Sequence, residues 1–165
     1  MRVVQAILIW IGRIFISALF ILSAINKVID WQATERGLVS LLCDWHVYVS
    51  HFPTWQSFFG MVLPWVPALL VIATVIELLG GLLVLLGIKP RLGAFLLIIF
   101  FIPSTILLHQ FWFLDGIKKD MQMVMFVKNI AILGGLLFVL AFGGKLPHKE
   151  TMHVSEPTDQ DDNFS

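Results

Sequence analysis

Four runs of about twenty mostly apolar residues dominate the 165-residue chain: Val4 to Ala24, Trp65 to Leu86, Leu92 to Leu114 and Met121 to Phe142. A hydrocarbon core about 30 Å thick asks for that length in a helix, because backbone groups in lipid must find partners within their own segment. The chain is therefore read as all-α: a polytopic integral membrane protein with a four-transmembrane-helix bundle. Composition agrees, since only 13% of residues are charged and mean hydropathy is +0.89, against roughly 25% charged in soluble domains. Arg2 before an apolar run suggests a signal peptide, but the run exceeds the usual apolar region of about 7–15 residues and Arg13 interrupts it, so an uncleaved first helix is expected. Eleven Lys and Arg cancel eleven Asp and Glu, leaving no basic excess for a nucleic-acid backbone. The single cysteine, Cys43, excludes an intrachain disulfide, a CxxC redox pair and a cysteine-based zinc site.

Residues 1–144 form one expected membrane domain, and residues 145–165 an acidic tail with Asp159, Asp161 and Asp162 that is too polar to pack and is expected to be disordered. Four spans put both termini on one side. Arg2, Lys89, Arg91, Lys145 and Lys149 fall on that side and Lys27, Arg36, Lys118 and Lys119 on the other, a slight bias towards cytoplasmic termini. Trp31, Trp45, Tyr48, Trp55, Trp65 and Trp112 gather opposite the termini, where amphipathic rings sit at headgroup level. The first connection, Asn26 to Pro64, is thus expected to be an interfacial aromatic loop, broken at Pro53, that lies along the membrane or covers the bundle; a re-entrant element is the alternative. Lys89-Pro90-Arg91 reads as a tight basic turn. Leu79-Gly80-Gly81-Leu82-Leu83 recurs as Leu133-Gly134-Gly135-Leu136-Leu137, through either a two-helix duplication or the general use of small residues at packing faces.

Ionisable groups at membrane depth are functional candidates. Measured at about 1.5 Å per residue from the terminal side, Arg13 and Glu77 both lie roughly 14–15 Å deep, and an intramembrane Arg13–Glu77 pair is expected. It serves either helix register alone or a polar ligand or proton. Arg13, Ser17, Phe20, Ala24 and Lys27 share one helical face, as do Thr74, Glu77 and Gly81. Near the opposite surface, Lys27, His109, Lys128 and Asn129 fall at similar depth. They are candidate lining for a pocket that takes a quinone or another small amphiphile, with interfacial snorkelling of Lys27 and His109 as the plainer reading. Haem is disfavoured because His109 alone lies within a span. A metal site at Asp44, His46 and His51 is the weaker option beside ordinary surface histidines. Pro103-Ser104-Thr105 predicts a kink in the third span.

Arg13 through Phe20 with Asn26-Lys27-Val28-Ile29-Asp30, Glu77-Leu78-Leu79-Gly80-Gly81 with Leu85-Leu86-Gly87 and Arg91, His109-Gln110-Phe111-Trp112, and Lys128-Asn129-Ile130-Ala131-Ile132-Leu133-Gly134-Gly135 together resemble the DoxX family of small four-helix membrane proteins. The resemblance spans about residues 5 to 145. It implies a protein of the bacterial cytoplasmic (inner) membrane, without a redox centre of its own, that acts as an anchor or quinone-site subunit for a soluble or membrane redox partner. No covalently bound cofactor is expected, quinone is the candidate ligand, and a homo-oligomer is allowed. An assembly or cargo-type membrane protein, and a small transporter, are the other classes open at this point.

Overall fold

A computed structural model describes residues 2–143 of the chain. The expected tail, 145–165, lies outside the described residues. Six helices follow one another: α1 (Arg2–Ile29), α2 (Trp31–Tyr48), α3 (Pro53–Val62), α4 (Val66–Leu86), α5 (Pro90–Leu108) and α6 (Gly116–Phe142), with single 3-10 turns at Leu63–Trp65 and Phe111–Phe113. The protein is all-α with four candidate membrane spans, Val3–Ile29, Pro53–Leu86, Pro90–Phe113 and Gly116–Phe142.

The four long helices pack in the order α1, α4, α5, α6, and α6 returns to α1 only sparsely. Two adjacent glycines place α4 in the middle of this arc. Gly80 faces α5, where a methyl group would stand 2.7 Å from Leu97 Cγ and 3.2 Å from the Gly93 carbonyl; Gly81 faces α1, where it would stand 2.9 Å from Ile21 Cγ1. Without a hydrophobic drive between helices in lipid, close backbone approach of this kind supplies the packing. Phe20, Val84, Ala94, Leu97, Phe101 and Leu136 form the buried core around the crossing. The other half of the sequence echo is used differently: Gly134 faces open space and Gly135 faces Ile16.

Gly87 ends α4 in the left-handed conformation (φ 66°) and Pro90 opens α5, a pairing of residues that stops one helix and pre-sets the next. The turn is therefore three residues long, Gly87 to Lys89, and of the expected Lys89-Pro90-Arg91 turn Pro90 and Arg91 already belong to α5. α5 continues through Pro103 to Leu108, with Ser104 Oγ donating to the Phe101 carbonyl at 3.0 Å.

The first connection differs from expectation. It is not a loop but two helices, α2 and α3, and Pro53 begins α3 instead of interrupting it, because a missing N–H costs nothing in the first turn. Leu42, Trp45, Phe59 and Val66 make a second buried cluster with Leu107 against it. Trp45 Nε1–H donates to the Leu107 carbonyl at 3.0 Å; its ring stacks on Phe59 and meets Phe113 edge-on. α2 and α3 are thereby fastened over the outer ends of α4 and α5.

Candidate functional site

The expected Arg13–Glu77 pair does not form. Arg13 lies beside Gly87, at the end of α4, and its Nη2 donates to the Gly143 carbonyl at 2.9 Å. Depth counted from the start of each apolar run assumed that the runs begin at one level. In the structure α1 starts about three turns before the level of Gly87, so Arg13 sits at the bundle edge while Glu77 lies ten residues, or about 15 Å, further in.

Glu77 pairs instead with Lys27. Nζ lies 2.5 Å from Glu77 Oε2 and 2.8 Å from Ser23 Oγ, and Ser23 Oγ donates to Glu77 Oε1 at 3.3 Å. The lysine carbons run back over Ser23 because helical side chains point toward their own N-terminus, which here is inward. Lys27 Nζ also stands 5.8 Å from the centre of the Phe100 ring. The carboxylate is almost fully buried, with 4% of the Glu77 side chain exposed against 21% for Lys27. The pair therefore has a dry end and an open end. On the open side a groove of about 590 Å³ is lined by Leu19, Leu22, Ser23, Asn26, Lys27 and Asp30.

Around the pair, Ser17, Phe20 and Ala24 on α1 and Thr74, Glu77 and Gly81 on α4 are all buried in one seam. Thr74 Oγ1 donates to the Leu70 carbonyl at 2.8 Å, and Ser17 Oγ is buried with no hydrogen-bond partner.

The four residues expected to share an outer pocket are not brought together. Lys27 belongs to the α1/α4 seam. His109 caps the end of α5, with Nδ1 2.8 Å from Gln122 Oε1. Asn129 Nδ2 donates to Thr105 Oγ1 at 3.2 Å, bridging α6 and α5. Lys128 is exposed on α6 and reaches Met125 Sδ at 3.2 Å. Similar depth along the separate helices does not fix azimuth, and each residue faces a different neighbour. Ser23 is the site residue that sequence reasoning left out; its position four residues before Lys27 was the available signal. His46 packs against Gly60, and no group of three or more His, Cys, Asp or Glu side chains gathers among the described residues.

The profile of the family described as HR-like lesion-inducing matches residues 5–142. The chain belongs to this family. The resemblance to DoxX proteins is thereby corrected: the match covers the same stretch of chain, and the features that carried the resemblance are ones that any bundle of short apolar helices needs. Glycine pairs permit close packing and scarce intramembrane charges must be paired. The inner membrane protein YphA of Escherichia coli (strain K12) is 26% identical over 139 residues, covering 84% of this chain and 85% of that protein. No solved structure matches. This member of the HR-like lesion-inducing family is a small multi-pass membrane protein in contact with the lipid bilayer.

Proposed function

We propose that the protein is a non-catalytic membrane component that holds the polar head of a small amphiphile at the Ser23–Lys27–Glu77 site, a quinone being the first candidate. The observation that carries this reading is the half-open ion pair. Glu77 holds the Lys27 ammonium from the buried side, while the groove over Leu19, Leu22 and Asn26 leaves one side of the ammonium accessible. A ligand carbonyl approaching along the groove would accept from Lys27 Nζ without uncovering Glu77, and the apolar wall would take its tail. Any electron transfer belongs to a partner.

A second reading is favoured by the saturation of Glu77, both of whose oxygens already have donors: the pair pins the register of α1 against α4 and binds nothing. One experiment separates the two. Protein purified in mild detergent is heated with and without a short-chain quinone, and its lipid-soluble co-purifying material is identified by mass spectrometry. A quinone-dependent rise in Tm that is lost in Ser23→Ala and Lys27→Met supports the site. No shift in any variant, with altered stability only, leaves the register pin.

The membrane we assign is a bacterial inner membrane with both termini cytoplasmic. Support comes from the name of the Escherichia coli relative and from Arg13, which joins Lys89 and Arg91 at the terminal-side end of the bundle.

A further inference from the structure

We propose that the seam between α1 and α6 is the seat of an anionic phospholipid, with its phosphate on Arg13 and one acyl chain lying along Gly12 and Gly135. This site lies at the other end of the molecule from the Lys27–Glu77 pair and stands independently of it.

α1 and α6 are the two ends of the helix arc, and where they meet they leave a groove of about 340 Å³ in whose lining Arg13 is the one polar side chain. Gly12 forms an open wall, since a methyl group there would meet nothing within 4 Å; Gly135 forms the floor, where a methyl group would stand 3.1 Å from Ile16 Cδ1. The groove runs along roughly 12 Å of α1, from Leu8 to Ile16. Its length and apolar side chains suit one hydrocarbon chain.

The mouth of the slot is cationic. Arg13 uses one donor on the Gly143 carbonyl, and Arg91 Nη2 donates to the Ala141 carbonyl at 3.0 Å. The last turn of α6 thus lies between two guanidinium groups, which its dipole favours. Among the described residues Lys27–Glu77 is the one ion pair, so Arg13 has no carboxylate partner there. Four of its five donors remain, in a fork that suits phosphate. Trp10 lies against the guanidinium, 5.8 Å from ring centre to Cζ, as an aromatic at headgroup level does. Basic pockets between membrane helices on the cytoplasmic side are the recurrent setting for anionic lipid heads. Free phosphate would gain nothing from the slot, and a zwitterionic lipid would carry its own cation to Arg13.

The test uses the full-length protein, delipidated in nonionic detergent and titrated with phosphatidylglycerol or phosphatidylcholine of identical chains, with bound lipid read by native mass spectrometry and stability by Tm. Phosphatidylglycerol should bind at least about fivefold more tightly and raise Tm. Arg13→Gln should erase that preference. Gly12→Leu, for which the open space beside Gly12 leaves room, should reduce retention of both lipids while the fold is kept. Inorganic phosphate should not compete. Equal binding of the two lipids by the unaltered protein overturns the proposal, as does a Gly12→Leu variant that retains lipid normally. So does a change in oligomeric mass that accompanies loss of lipid, which would make a second copy the occupant. Lipid binding seen only after removal of residues 145–165 would make the acidic tail the occupant.

Discussion

At the scale of single residues, the Lys27–Glu77 pair illustrates how a charge is tolerated inside an apolar bundle. Glu77 is committed to burial by the α1/α4 seam, so what surrounds it decides its cost. Removing Lys27 alone, in Lys27→Met, leaves a buried carboxylate uncompensated and should lower stability by about 3 kcal/mol or more, read by chemical or thermal unfolding in detergent. Lys27→Met combined with Glu77→Leu should recover most of that loss, because no charge is then stranded. If the double variant is as unstable as the single one, the ion pair is not the reason the seam holds. Only part of this site was legible in the chain. Glu77 and Lys27 announce themselves as rare charges in or beside apolar runs, and their positions on packing faces follow from spacing. Their pairing does not. Depth along each run pointed to Arg13 as the partner, and only the offset between α1 and α4 brings Lys27 to Glu77 instead.

At the scale of elements, adjacent glycines do two different jobs. Gly80→Ala or Gly93→Ala inserts a methyl group against neighbouring backbone or Leu97 and should cost about 1–3 kcal/mol through overpacking. Gly134→Ala meets nothing within 4 Å and should be neutral or stabilising by up to about 1 kcal/mol, as the helix preference for alanine is expressed. Thermal denaturation of the three variants side by side checks both halves; equal losses at Gly80 and Gly134 would remove the distinction. α2 and α3 hang on a different device. Trp45→Phe keeps a ring in the aromatic cluster but deletes the bond to the Leu107 carbonyl, a loss of about 1 kcal/mol. The expected signature is faster hydrogen exchange confined to α2 and α3. These two helices were the element least legible in sequence: α2 is mixed in polarity and buries only Leu42 and Trp45, so it shows neither a membrane run nor a clean amphipathic stripe.

At the scale of the whole molecule, the start of α1 and the end of α6 lie at one end of the bundle, where Arg13 meets Gly143, and α2 lies at the other; the orientation proposed above puts the first end in the cytoplasm. Cys43 is exposed on α2 and is the only cysteine in the chain, so it reports topology without engineering. In intact bacterial cells expressing the protein, a membrane-impermeant maleimide should label Cys43, while a tag at either terminus stays inaccessible until the inner membrane is opened. Labelling only after opening would invert the orientation. The sequence by itself determined the membrane as solvent, the number of candidate spans and the end of the bundle at which the aromatics gather, because these depend on length and composition measured along one helix at a time. The tertiary structure alone decided that α4 sits between α1 and α5, that Lys27 and not Arg13 meets Glu77, and that His109, Lys128 and Asn129 part company. Those outcomes turn on the sliding and rotation of one helix against another. In lipid these are set by where small residues let backbones touch, and hydropathy carries no record of them.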